Sequence, residues 1–372
     1  LLRLTDTGRV LGEVLIRYRF LGKEKESVQT VSLQVYNRNA FPPGDAAALA
    51  AFVSPGSPEI LEYAKRVTGL ARSRLRTGLN RNMQAAVWLF EGLRAAGVRL
   101  DGTHTAEGEA QFPAETLGFR TGNRTDIGLL YAAALEASGI PAALVPLDGA
   151  AGSPDLVIAC YLDVDQAGAE LLFSSLDRVL VLDGEAWLPL SMNAFNGGFI
   201  AAWDGGAEAL NGFFAGGGEA DFIALENAWG FYPPAPLPAQ GVRFREGELA
   251  GIADGVIRQY IGRDIEPLVQ GVRQRIVAAR EAGPDAEDLS LAGLYNRLGI
   301  LLVRSGRAAD GKAAWEQAAS MGSVPAMTNR GNLGLIERDY AAAELWFRQA
   351  LAREPDNAAA KQGLEKIEER GE

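Results

Sequence analysis

Residues 124–147 place the strongest constraint on what this chain can fold into. Ile127, Leu130, Tyr131, Ala134 and Leu135 follow the spacing of one helical face. Gly139 is placed to end that helix. An apolar run, AALVP, follows almost at once. A helix with one apolar face, running straight into a buried strand, needs a sheet on which that face can rest. The runs DLVIACYL, RVLVL and AWLPL supply further strands, the last entered through a hairpin turn at Asp183-Gly184. Helices upstream and strands downstream predict an α+β fold, a helical layer on an antiparallel sheet. Arg124 lies one turn before Ile127, at the head of the same inward-facing side.

The flanking text extends this order. Residues 9–37 read as two strands with the charged GKEKE as their turn. Residues 45–97 read as helical: Ser57-Pro58-Glu59 is a helix start, Met83, Val87, Phe90 and Leu93 share a face, and Gly97 is a stop. The glycine-rich stretch 204–220, DGGAEALNGFFAGGGEA, reads as a mobile loop, and YPPAPLPAQG at 232–241 as a domain boundary. Beyond it the chain is nearly all helix.

That helical part contains a self-match at an offset of 32 residues, with Gly299, Trp315 and Ala318 recurring as Gly331, Phe347 and Ala350. Small residues let two antiparallel helices approach, an aromatic fills the gap between them, and Pro355 stops the second helix. NAAAKQGLEKIEER reads as a capping helix, and residues 265–281 as a further helix against the first repeat. The pattern resembles tetratricopeptide (TPR) repeats. The resemblance implies an all-α unit that binds a protein or peptide, with Asn296, Asn329, Asn332 and Arg330 as candidate partner-binding residues.

Composition narrows the chemistry. A net charge of −11 argues against nucleic acid as a partner, since phosphate binding needs a basic surface. No apolar run approaches the roughly 18 residues of a membrane span. The single cysteine, Cys160, excludes an internal disulfide and multi-cysteine metal sites; the single histidine, His104, excludes most zinc sites. Cys160 sits in mid-strand, where a buried structural thiol is expected, and His104 in a polar loop, so a displaced dyad between them is not expected. Asp163 and Asp165 read as a solvated strand end rather than a calcium site. The glycines at 216–218 are not followed by the Lys-Ser/Thr of a phosphate loop. Trp187, Phe195, Phe199, Trp203 and Trp229 are expected in the core rather than along a sugar or peptide groove. No cofactor or metal is implied. The chain begins Leu-Leu, which predicts a segment upstream of it.

Six stretches carry a second resemblance: NRNAF, AAFVSPGSPEILEYAKRV, MQAAVWLFEGLRAAGV, FPAETL, GNRTDIGLLYAAALEASGIPAALV and GEAWLPL. In this order they resemble the transglutaminase-like branch of the papain-like fold, as found in bacterial envelope proteins that carry it ahead of TPR repeats. Where that family has Gly-Asp-Cys-x-Asp, this chain has Gly-Asn-Arg-Thr-Asp, so Gly122 and Asp126 match and Arg124 replaces the nucleophilic cysteine. The family's histidine is matched by Asp155 and its acidic residue by Ser191, so all three triad positions depart.

The resemblance implies a pseudoenzyme with a four-part organisation: a strand segment at 1–39, a degenerate transglutaminase-like domain at 40–240, a helical connector at 241–287 and TPR-like repeats at 288–372. It would work as a peptide-binding or scaffolding module of the bacterial envelope or periplasm, with a protein, peptide or cell-wall glycopeptide as partner. The alternative is a hydrolase or acyltransferase with a carboxylate-based site at Asp155 or Asp126. A guanidinium near a helix N-terminus is unfavourable, which predicts that Arg124 either pairs with Asp155 or Asp126, the preferred outcome, or swings out to solvent.

Overall fold

The computed structural model describes residues 7–42, 44–101, 108–147, 155–235, 249–282 and 291–371. His104, the loop 148–154 and the expected boundaries near 240 and 287 lie outside the described residues. The chain divides into two compact units. One comprises Leu1–Leu70, Trp88–Tyr161 and Trp187–Ala250, the other Ala71–Val87, Leu162–Ala186 and Gly251–Glu372. The architecture is mixed α and β with an antiparallel sheet, followed by a helical C-terminal region.

The chain starts with an antiparallel hairpin, β1 (Gly8–Phe20) and β2 (Lys23–Val35), in unbroken register from Gly8↔Val35 to Phe20↔Lys23. The turn is Leu21-Gly22, both at positive φ, as a tight hairpin of this hand requires. The charges of GKEKE therefore fall inside β2 rather than forming the turn. Strand alternation puts Val10, Val14, Ile16, Tyr18, Phe20 and Leu33 on one face of the ribbon, and all six are exposed.

The helical stretch resolves into a 3-10 turn (Ala46–Ala51), α1 (Pro58–Arg72) and α2 (Arg81–Ala95). Gly97 ends it at φ 91°. A short parallel pair, β3 (Arg99–Leu100) with β4 (Thr121–Gly122), flanks α3 (Pro113–Phe119). Next come α4 (Arg124–Ala137), β5 (Ala142–Leu147) and β6 (Asp155–Asp165), then α5 (Gln166–Leu172), β7 (Leu180–Leu182) and β8 (Glu185–Ser191). After a 3-10 turn (Met192–Gly197) follow α6 (Phe199–Ala215), β9 (Ile223–Ala224) and α7 (Leu225–Ala228). The main sheet has the order β7-β8-β6-β5-β9, with β5 antiparallel to both β6 and β9.

Helix α4 lies on β6. A Cβ on Gly128 would come within 2.8 Å of Leu156 and 3.2 Å of Ile158, so the glycine marks the point of closest approach. Phe90 of α2 meets Tyr131 of α4 edge-on at 5.3 Å and also touches Phe195 and Phe199. Trp203, Phe195 and Phe199 are fully buried, as expected for core aromatics; Trp229 is half-buried and donates to the Ala50 carbonyl at 3.0 Å.

Most of the stretch expected to be a mobile loop, as far as Ala215, belongs instead to the helix α6. A Cβ on Gly206 would stand 2.5 Å from the carbonyl oxygen of Pro189 in β8, and one on Gly205 3.4 Å from Ser191. These glycines let a helix reach a strand's backbone; they do not supply flexibility.

In the other unit, α8 (Leu249–Tyr260) passes through a π-helical turn (Ile261–Ile265) into α9 (Glu266–Ala282). The buried Tyr260 donates to Leu172 at 2.9 Å, and Ser174 donates to the buried Asp264 at 3.1 Å. Helix α9 rests on α10 (Leu291–Arg304). Then come α11 (Ala308–Ser320), α12 (Val324–Glu337), α13 (Tyr340–Arg353) and α14 (Ala358–Gly371).

The 32-residue recurrence has a structural counterpart. A Cβ on Gly299 would stand 2.4 Å from the Trp315 ring, and one on Gly331 2.6 Å from the Phe347 ring. Gly311 lies against Val303 and Gly334 against Ala343, so contact partners advance in opposite directions and each helix pair is antiparallel. Gly363 of α14 also closes on the Phe347 ring, at 2.3 Å for a Cβ. The C-terminal helix thus caps the last ring.

Candidate functional site

The start of α4 is built by a reciprocal cap. Asn123 accepts from the backbone N–H of Asp126 at 2.9 Å, and the Asp126 carboxylate accepts from the backbone N–H of Asn123 at 2.9 Å. The other Asp126 oxygen accepts from the Gln111 N–H at 2.7 Å, and the residue is fully buried. Its negative charge sits at the positive end of the helix dipole. Asp126 is a structural cap that ties the chain before α3 to the start of α4.

Asp155 opens β6 and Ser191 closes β8, and the neighbouring strands bring them together: Ser191 Oγ donates to the Asp155 carboxylate in a short hydrogen bond. The same carboxylate accepts from the backbone N–H groups of Leu156 at 2.8 Å and Asn193 at 3.3 Å. Both side chains are buried, Asp155 at 6% exposure and Ser191 at 3%. Two of the three positions that the sequence resemblance compares with a catalytic triad are therefore hydrogen-bond partners.

Arg124 is not part of this pair. It is half-buried at the first turn of α4, and among the described residues it forms no ion pair with Asp155 or Asp126. The expected pairing is corrected on physical grounds. Arg124 lies one turn before Gly128 on the face that meets Leu156 and Ile158. Successive strand residues point to opposite faces, so Asp155 is out of phase with Leu156 and turns toward Ser191. There α6 lies close, with Gly205 against Ser191 and Gly206 against Pro189.

Cys160 offers no substitute nucleophile. It is fully buried, and burial pushes its thiol pKa well up, with the nearby Glu136 charge adding to the effect. Among the described residues no three His, Cys, Asp or Glu side chains are placed to hold a metal ion. Asp165 caps α5 by accepting from Gly168 at 2.7 Å.

The candidate partner-binding residues of the helical unit separate into two groups. Asn329 donates to Asn296 across α12 and α10 at 2.9 Å, so these amides satisfy each other. Arg330 reaches Glu316 at 3.5 Å and lies 5.8 Å from the Trp346 ring centre, which makes it a brace between helices. Asn332 instead faces an open recess of about 600 Å³, lined also by Leu335, Ile336, Arg338 and Lys366. Arg338 and Lys366 carry no local sequence signal. One follows the end of α12 at φ 63° and the other lies on α14.

No family model matches the chain, and no curated protein matches it. A solved structure described as a "putative protease", from Parabacteroides distasonis ATCC 8503, is similar at 17% identity with a TM-score of 0.24. That match covers 43% of this chain and 36% of the other, so the chain spans about a third of that protein's length. At that score the likeness establishes neither fold nor activity. Among the described residues no helix is long and apolar enough to cross a membrane.

Proposed function

We propose that this chain is a non-catalytic transglutaminase-like protein whose TPR-like helical unit binds a protein or peptide, and that it works in the bacterial cell envelope. The observation that carries the proposal is the Asp155–Ser191 pair. At the positions where a working relative would need a base and its orienting acid, the two groups are buried against each other, and Arg124 stands where the nucleophile should be. A carboxylate already accepting from a hydroxyl and two backbone N–H groups has little capacity left for a substrate proton. No thiol stands at this site, and the Ser191 hydroxyl that faces the carboxylate is only 3% exposed, closed off from an incoming acyl group.

Incubation with primary amines plus glutamine peptides, and separately with cell-wall peptide fragments, tests the proposal. No turnover is expected for the native chain. Turnover that disappears in Asp155→Asn, with the melting temperature unchanged, would establish the carboxylate enzyme instead.

A further inference from the structure

We infer that the recess between α12 and α14 is a docking groove for an acidic peptide carrying one apolar anchor. The inference rests on the partner-binding reading of the helical unit and gives that partner a chemistry.

The floor and walls differ in kind. Leu335 is half-buried and packs on the cluster around Phe347, whereas its neighbour Ile336 is 60% exposed. A large aliphatic side chain held open to water beside a recess is a ready contact for an apolar group. Around it stand Asn332, Arg338 and Lys366, and no carboxylate lines the recess among the described residues.

The surrounding charges make this arrangement specific. On a chain of net charge −11, two cations face one recess. The two acids next to Arg338 are engaged elsewhere, and the exposed Glu365 and Glu368 beside Lys366 do not line the recess. Glu337 pairs with Lys312 at 2.6 Å, and Asp339 caps α13 by accepting from Ala342 at 3.2 Å. Among the described residues neither Arg338 nor Lys366 has an ion-pair partner. The weak negative end of the α12 dipole is outweighed by two full charges. Carboxylates are the complement of this rim: Arg338 offers a fork of donors, Lys366 a point charge, and the Asn332 amide fixes a peptide's backbone. A basic or neutral segment would leave both cations uncompensated, so charge sets the specificity and Ile336 supplies the contact.

Fluorescence anisotropy with the full chain tests this. The probes are a labelled short peptide of Glu and Asp around one Leu, the same peptide with Lys in place of the acids, and an acidic peptide without Leu. The acidic Leu peptide should bind, and the lysine peptide should bind at least ten-fold more weakly. Raising the salt should weaken the acidic complex. Arg338→Glu combined with Lys366→Glu should lower acidic-peptide affinity at least ten-fold and improve binding of the lysine peptide. Ile336→Asp should abolish the advantage of the Leu-containing peptide.

Equal binding of acidic and lysine peptides, or acidic binding indifferent to the double reversal, would overturn the inference. A display screen of random peptides against the full chain separates the two levels. Selection of basic peptides that lose binding on Ile336→Asp leaves the partner-binding reading standing and refutes the acidic one. A screen that selects nothing refutes both.

Discussion

The Asp155–Ser191 pair and the recess between α12 and α14 both gather polar groups, but those groups are in opposite states. At the first, the carboxylate accepts from a hydroxyl and two backbone N–H groups, and both side chains are closed off from water. At the second, two cations stand exposed beside an exposed isoleucine, no carboxylate lines the recess among the described residues, and the acids beside Arg338 are committed elsewhere. A buried polar group must be satisfied within the protein or the full cost of its desolvation goes uncompensated, so a fully satisfied site is an element of stability. Unengaged charge at a surface costs little to keep there and is open to a partner. On the reading proposed above, the site that resembles a catalytic centre is structure, and the one without a catalytic pattern is the binding surface.

The largest test of this contrast removes one wall of the recess. Deleting residues 356–372 takes away α14, Lys366 and the glycine that covers Phe347, whose ring is fully buried. Re-exposing that ring and the apolar side of α13 should cost about 3 kcal/mol or more. A lower melting temperature and self-association in light scattering are expected. A monodisperse variant with an unchanged melting curve would show that α14 is no cap.

Asp155→Ala probes the buried side. It leaves the Ser191 hydroxyl and the Asn193 N–H without their acceptor, and should destabilise the chain by about 2 kcal/mol. Ser191→Ala removes a donor and leaves the carboxylate its backbone partners, so it should cost less. Equal and negligible losses in urea melts would show that the pair is dispensable, and the contrast with the recess would fail on its structural side.

What the sequence disclosed and what it hid follow from the range of the interactions. Helix α4, its stop at Gly139 and the strands β5, β6 and β8 were legible because periodicity and turn chemistry are local. The recurrence that relates Gly299–Trp315 to Gly331–Phe347 was legible as well, being a pattern in the text. The helix at 199–215 was not, because glycine means flexibility locally and close approach only when a strand lies opposite. The turn at Leu21-Gly22 was hidden by a leucine at positive φ, a conformation few leucines adopt. Asp155 and Ser191 were singled out by resemblance, but their bond, and the exclusion of Arg124 from it, depend on which face of the sheet each side chain takes. Arg338 and Lys366 meet only across two helices, so no spacing announces them.

A smaller effect comes from Glu136, near the C-terminal end of α4. Burial raises its pKa from 4.5 to about 7; its acceptance from the Ala142 N–H opposes that rise, and the Glu226 charge reinforces it. The folded state thus keeps a proton that the unfolded chain has released. Between about pH 4.5 and 7 the unfolded state binds fewer protons, so stability should fall as pH rises and level off above about 7. Glu136→Gln keeps the acceptor and removes the titration. Urea midpoints measured across this window should slope downward in the native chain and run flatter in the variant. Identical slopes would remove Glu136 as the cause.

The smallest effect is the most informative about the recess. Arg338 and Lys366 are exposed, and among the described residues neither is engaged in an ion pair. Replacing both with alanine should therefore change stability by no more than about 0.5 kcal/mol. Relief of mutual repulsion in the recess could make the change slightly favourable. A loss above about 1 kcal/mol would mean that these side chains hold α12 to α14. They would then belong with Asp155 and Ser191 as satisfied structural groups, and a loss of peptide binding in the charge-reversed variant would have to be attributed to a disturbed helix pair. A neutral melting curve together with lost acidic-peptide binding is the combination that separates a binding surface from a structural one.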